Sequence, residues 1–438
     1  MTGPGAGGSP LARLSALAGA SRFRRNFLAV AKANVVAQAL LLASVPLLSR
    51  LYSPEAFGLA ALFMAALQML ASFASWKYER IVPNSRSRRG AAARVAAGLL
   101  ALGAVCTATA LGIAFAPGAL ALWDGAGELG PLLWWLPLAV AAHGLQVLGA
   151  SWFVRERELG PVSRARIMQS VGYLVVAFAC AAFALARSGL VLATAAAWVA
   201  SFLALAGALG PLVRALGALR PARALRVLRA TLPEASRATA VGFLNTVSLT
   251  APVVLLAEVY SAAELGLYAL MMRVVGTPLT IVTASLSLSF WSRAAELVRE
   301  RRFAALRRTF LKTTAYLAIP ACAVVAVCLA SPAVVPLVLG ERWAAAGPVL
   351  VAATPMLVGT ALFSATNHLV VLRRQGLQAV ADGARLTLLV LVAAVARAED
   401  LAFVWAVFWM ACASLVGHVL LFLIQLRVHG RIEAGAAR

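Results

Sequence analysis

The feature that most constrains this chain is a repeated one: apolar stretches of about 20 residues, the length a helix needs to cross hydrocarbon. Twelve occur, at roughly 28–49, 57–76, 95–116, 132–154, 167–186, 190–212, 238–257, 265–290, 313–336, 347–371, 384–396 and 401–426. The eleventh is short unless it begins near Ala379. Of 438 residues, 62% are hydrophobic and 13% charged, where a soluble domain carries about 25% charged. Lipid is therefore the expected solvent. The expected fold class is an all-α polytopic membrane protein of about twelve transmembrane helices.

The net charge of +23 would suggest nucleic acid in a soluble protein. Its placement gives it another meaning. With the N-terminus inside, the two termini and loops 2–3, 4–5, 6–7, 8–9 and 10–11 hold 33 of the 39 basic residues. The other side holds Arg50, Arg187, Arg342 and Arg397, and Lys32 and Arg273 lie within spans. This is the positive-inside pattern. It places both termini in the cytoplasm of a cell whose Ala-, Arg- and Gly-rich composition suggests a GC-rich bacterium, in its inner (plasma) membrane. Membrane lipid is a partner, and nucleic acid is not. Residues 1–26 read as a flexible cytoplasmic segment without a cleavable signal. Cys106, Cys180, Cys322, Cys328 and Cys412 lie in apolar runs without metal-ligand spacing, and read as small buried hydrophobes.

The phrase RLYSPEAFGLAAL at Arg50–Leu62 returns as EVYSAAELGLYAL at Glu258–Leu270, with six of thirteen positions identical and an offset of 208. A weaker pair, GELGPLLWWLP at Gly127–Pro137 and AAAGPVLVAATP at Ala344–Pro355, has a similar offset. The chain reads as two six-span halves. Six is even, so the repeat is parallel and its pseudo-two-fold axis runs along the membrane normal. The expected divisions are an N-terminal segment 1–26, a six-helix lobe 27–213, a basic linker 214–237, a second six-helix lobe 238–426 and a tail 427–438. The linker places Arg214, Arg220, Arg223, Arg226, Arg229 and Arg237 among leucines, a pattern that suits an amphipathic helix lying on anionic lipid.

Four stretches carry a family resemblance: PLLSRLYSPEAFGLAALF (Pro46–Phe63), WKYERIVP (Trp76–Pro83), YSAAELGLYALMMRVVGTPL (Tyr260–Leu279) and VVPLVLGERWAAAGPVL (Val334–Leu350). In these the chain resembles the polysaccharide and O-antigen flippases of the multidrug/oligosaccharidyl-lipid/polysaccharide exporter superfamily. The run Ile81-Val82-Pro83 is shorter than family members often have there. The resemblance implies movement of an undecaprenyl-diphosphate-linked oligosaccharide from the cytoplasmic to the periplasmic leaflet by alternating access. The product would serve O-antigen, capsule or exopolysaccharide synthesis, with polysaccharide polymerase machinery as a further partner. It implies no cofactor.

A lipid diphosphate calls for a hydrated cleft with cationic and hydrogen-bonding side chains, and Arg is its best partner because its planar fork binds two oxygens. Arg273 sits eight residues into span 8, about 12 Å deep. It either faces a cavity or pairs with Glu258 or Glu264. Lys32, Asn34 and Gln38 fall near the inner end of span 1, the last two on one face, and Asn245 is the second half's counterpart of Asn34. His143 and Gln146 in span 4, and Gln169 and Tyr173 in span 5, offer further cleft-facing pairs. Each of these polar groups could instead bond a neighbouring helix. Arg50 and Glu258 occupy matched positions in the repeat and are expected to form an outer gate pair. Lys77, Glu79 and Arg80 are expected at the inner mouth. No carboxylate is expected in mid-span, and the four histidines look scattered.

Enzyme signatures are missing: there is no phosphate-binding P-loop and no HExxH zinc motif. A multidrug cation antiporter of the same superfamily is the alternative, and would need intramembrane acids. A polymerase would need a large outer domain, and the longest outer loop, Pro117–Pro131, is too short. A peptidoglycan-precursor flippase commonly carries two further spans.

Overall fold

The computed structural model of the chain describes residues 29–436, apart from 31, 116–129, 370 and 373. The N-terminal segment 1–26 and most of loop 117–131 lie outside the described residues. Among those described, every regular element is helical. Eleven helices are long and apolar enough to span: Lys32–Leu51, Pro54–Ala74, Arg88–Phe115, Gly130–Glu156, Gly160–Ala182 and Ala186–Ala206 as spans 1 to 6, Leu225–Ala257, Ala262–Arg299 and Phe303–Leu339 as spans 7 to 9, and Gly376–Ala398 and Phe403–Ile432 as spans 11 and 12.

Span 10 is a broken pair, Glu341–Ala352 and Thr354–Phe363, bent by 53°. Pro355 explains the break. It has no N–H to give, and its ring collides with the carbonyl four residues earlier. The helix also stops at Phe363, short of the 371 expected from hydropathy. Span 11 is longer than expected, because its helix runs from Gln375 to Ala398 and takes in polar residues ahead of the apolar run.

The basic segment 214–237 is not a separate surface helix. From Pro221 it is the start of one 37-residue helix, Pro221–Ala257, that continues as span 7. Span 8 departs from α geometry at Met272–Gly276, a π turn in which the Thr277 N–H reaches the Met272 carbonyl. Such turns insert one residue and are frequent at functional sites.

The repeated phrase is where the two lobes meet. Span 2 packs on span 8 so closely that a Cβ on Gly58 would lie 1.9 Å from the Ala262 carbonyl oxygen, and one on Gly266 1.8 Å from the Pro54 carbonyl oxygen. Position 58 maps to 266 and 54 to 262 under the offset of 208, so the contact is reciprocal. The repeated tyrosines anchor the same turns. Tyr52 donates to the Ala177 carbonyl at 2.5 Å and Tyr260 to the Leu401 carbonyl at 2.7 Å. Trp343, from the Gly-Glu-Arg-Trp turn, is fully buried against the first lobe. Its indole N–H donates to the Ser49 carbonyl at 2.9 Å, and its ring meets Phe57 edge-on at 5.3 Å. Spans 1, 2, 8, 9 and 10 are thus locked together at this end, called here the far end.

At the opposite, basic end, span 2 closes after 21 residues. Trp76 and Lys77 take left-handed conformations, with φ of 50° and 54°, which turn the chain sharply into the short helix Tyr78–Ile81. A Cβ on Gly98 of span 3 would touch both Tyr78 Cβ (3.2 Å) and Leu148 Cδ2 (2.7 Å) of span 4. Leu148 lies eight residues before Glu156, the end of span 4, so Tyr78 lies about 12 Å inside that end. The turn contacts span 7: Trp76 Nε1 donates to Ser236 Oγ at 3.0 Å, and Thr231 Oγ1 to the Tyr78 hydroxyl at 3.4 Å. Phe73 and Phe243 close the same seam, ring centres 5.4 Å apart. By contrast, the basic-end halves of span 1 (Lys32, Asn34, Val35, Val36, Ala39) and span 8 (Thr280, Val282, Ala284, Ser285, Leu286) are exposed.

Candidate functional site: a polar seam between the lobes

Arg273 projects from the π turn of span 8 toward the other lobe. Its Nη1 donates to the Tyr173 hydroxyl of span 5 at 2.7 Å, and its guanidinium carbon lies 4.6 Å from that ring's centre. A hydrogen bond and a cation–π contact therefore join two residues of different lobes. Arg273 does not pair with Glu258 or Glu264. Glu264 is occupied in a capping box, its carboxylate accepting from the Ser261 N–H and hydroxyl. Among the described residues no carboxylate neutralises Arg273.

On span 5, Arg166, Gln169 and Tyr173 follow at helical spacing on one face. Arg166 Nη1 donates to Gln169 Oε1 at 3.4 Å. Gln146 of span 4 is 3% exposed and has no hydrogen-bond partner among the described residues. His143, one turn away, lies edge-on to Trp198 at 4.4 Å with its Nδ1 buried and unpartnered. Lys32 and Asn34 are exposed and Gln38 is half-buried, all without side-chain partners among the described residues.

Lys77, Glu79 and Arg80 fall just past the basic end of span 2. Lys77 Nζ is 3.9 Å from Glu79, whose other carboxylate oxygen accepts from Ser75 at 2.5 Å. The Lys77 side chain lies against span 7, where a Cβ on Gly242 would come within 2.9 Å of its Cε. Burial holds the Lys77 ammonium below its ordinary pKa, against the opposing pull of Glu79. Arg80 is exposed.

Several expectations are corrected. Arg50 and Glu258 are both exposed and make no ion pair. Span 2 meets span 8 backbone to backbone at the glycines instead, and leaves those charged ends outside the joint. Asn245 is not a free cleft residue, since its Nδ2 donates to Asp382 Oδ2 at 3.1 Å. Asp382 is a carboxylate inside a span, 5% exposed, and Arg385 beside it is 6% exposed. The two pair at 3.1 Å, and Arg385 Nε donates to Ser248 Oγ at 2.7 Å. Gly417 of span 12 leaves room for the Arg385 side chain, which a Cβ there would meet at 2.7 Å. Arg385 therefore belongs to this buried network rather than to loop 10–11. Nor are the histidines all scattered: His368 and His429 meet Nε2 to Nε2 at 2.8 Å, both fully buried. The sequence signal for the network was an Asp and an Arg three apart just ahead of an apolar run. The signal for Arg166 was its i, i+3 spacing to Gln169.

The fold is one shared with solved membrane transporters. The chain is similar to an inward-facing multidrug resistance MATE family transporter of the MOP superfamily, with a TM-score of 0.70 at 15% identity over 92% of this chain and 99% of the other. It is similar to the lipid II flippase MurJ in an inward closed conformation, at 0.65 and 12% identity over 94% and 89%. Against an outward-facing MATE family transporter the TM-score is 0.54 at 15% identity, over 94% and 96%. No curated protein matches the chain. The family described as polysaccharide biosynthesis protein matches residues 47–348. The chain belongs to that family.

Proposed function

We propose that this protein carries an undecaprenyl-diphosphate-linked oligosaccharide from the cytoplasmic to the periplasmic leaflet of a bacterial inner membrane. Both termini and the basic end face the cytoplasm, and the product feeds surface polysaccharide synthesis. The carrying observation is Arg273. It is a guanidinium inside span 8 that bridges to the opposite lobe through a tyrosine and, among the described residues, lacks a carboxylate to neutralise it, so it is available to an anionic headgroup. The locked far end, the exposed basic-end halves of spans 1 and 8, and the higher similarity to an inward-facing relative support an inward-facing cleft. Rocking the lobes about the glycine joint would expose Arg273 to the other side.

A cation antiporter is the second reading, and Asp382 is the observation that favours it. That carboxylate is already neutralised by Arg385, which leaves it a poor cation site. The test is flipping of a fluorescent prenyl-diphosphate-linked oligosaccharide in proteoliposomes. Wild type should move it and Arg273→Gln should lose at least tenfold, on the scale of a hydrogen bond to a charged group. Transport of organic cations with no flipping would reverse the assignment.

A further inference from the structure

The π turn of span 8 frees a backbone acceptor at Arg273. In a continuous α-helix the Pro278 ring would collide with the Val274 carbonyl, four residues earlier, and the wider turn over Met272–Gly276 relieves that clash. The carbonyl of Arg273 is left over. Its helical donors would be the N–H groups four or five residues on, at Thr277 and Pro278. Thr277 gives its N–H to the Met272 carbonyl, and Pro278 has none to give. Among the described residues no side chain donates to the Arg273 carbonyl either. One turn on, the Thr277 hydroxyl makes no bond among the described residues. It differs in this from Thr280, Thr283, Ser285 and Ser287, whose hydroxyls all bond carbonyls of their own helix. A Cβ on Gly276 would meet nothing within 4 Å, so the turn borders open space.

A freed carbonyl inside a span needs a donor. Ionised phosphate oxygens only accept, so the diphosphate itself cannot serve. A sodium ion is another partner for an unwound carbonyl, and the guanidinium on the same residue would repel it. A hydroxyl fits, and the group next to the diphosphate in a lipid-linked oligosaccharide is a sugar. We infer that the Arg273 carbonyl and the Thr277 hydroxyl form a subsite for the first sugar of the substrate. This rests on the reading of Arg273 as the headgroup's partner. The carbonyl accepts from one sugar hydroxyl and Thr277 bonds a second, while the Arg273 guanidinium holds the phosphates. A carrier lipid without a sugar would leave both groups unpaired, so the subsite separates the loaded carrier from the empty one. Pro278 is the positioning residue, because its missing N–H frees the acceptor.

The experiment measures binding of two probes to the full chain in nanodiscs. Both are farnesyl diphosphate, capped on the terminal phosphate by glucose in one and by a methyl group in the other, so their charge is equal. Wild type should bind the glucosyl probe about five- to tenfold more tightly, the scale of one or two hydrogen bonds. Pro278→Ala supplies the missing N–H, which closes on the carbonyl, and should bring the ratio of affinities close to one. Thr277→Val keeps the side-chain shape without the hydroxyl and should lower the same ratio. Arg273→Gln should weaken both probes and leave the ratio standing. Elution as a single species checks folding, and if Pro278→Ala fails that check, Thr277→Val decides. A ratio near one in wild type, or a wild-type ratio in either folded variant, overturns the subsite, and weaker binding of both probes in Arg273→Gln would then still support the proposed function. A ratio lost in Pro278→Ala and Thr277→Val, with Arg273→Gln binding both probes as wild type does, keeps the subsite and removes the Arg273 side chain from its role.

Discussion

Gly58 and Gly266 occupy the same place in two copies of one phrase, and each fills the space where the other lobe's backbone comes closest. The nitrogen of Gly58 would sit 3.1 Å from a Cβ on Gly266, and carbonyl oxygens at 1.8 and 1.9 Å bar any side chain at either position. The neighbours are backbone atoms, which cannot rotate away.

Gly58→Ala or Gly266→Ala should therefore pry the far end apart. Overpacking of this kind costs about 1–3 kcal/mol, enough to redistribute two conformations of similar energy. Spin labels on the far ends of spans 2 and 8 should report a longer distance in either variant, and flipping should fall. Unchanged distances with full transport would show that the joint does not set the conformation.

The Asp382–Arg385 pair should behave as a buried ion pair bound to span 7. Asp382→Asn strands the guanidinium and should cost about 3–5 kcal/mol in unfolding free energy. The double variant Asp382→Leu/Arg385→Met should regain most of that, because neither charge is left alone. Thermal unfolding in detergent distinguishes the cases, and a double variant as unstable as the single would refute the pairing.

Lys77 should impose a pH dependence on stability. Its pKa is lowered in the folded protein, chiefly by burial, so the unfolded chain binds more protons between the folded and the ordinary value. Stability then rises with pH through that window. The desolvation cost is fully present below the folded pKa and is gone above the ordinary 10.5. Lys77→Met should raise the melting temperature near neutrality and flatten its rise through the alkaline range. An unchanged slope would mean that another group carries it.

The spans were legible because an apolar run of this length is a strong, local signal. Where that signal weakens, reading failed. Span 11 begins with Gln375, Gln378, Asp382 and Arg385, so hydropathy started it too late, leaving a buried carboxylate outside it and its arginine counted with loop 10–11. The break in span 10 was written in Pro355 but masked by apolar neighbours on both sides. Arg273 and Tyr173 were each visible as polar groups in apolar helices. Their meeting was not, since 100 residues separate them and no periodicity spans two lobes. The repeat revealed duplication, yet Gly58 and Gly266 looked like bend residues until their carbonyl neighbours were known. The same alignment suggested Arg50 with Glu258 because it pairs positions by symmetry without saying which of them touch.

The turn that ends span 2 has an electrical consequence. Lys77 follows the 21-residue helix Pro54–Ala74, long enough to cross the roughly 30 Å of hydrocarbon, so its ammonium stands where the potential of the basic side applies. The membrane voltage then falls between Lys77 and the glycine joint, at the two ends of span 2. In the proposed orientation the cytoplasm is negative, and a diphosphate that moves from that side to Arg273 moves down that field. Each elementary charge gains about 2.3 kcal/mol per 100 mV over the full drop. The resting voltage itself would push the anionic headgroup outward, with no bound cation needed to supply the force.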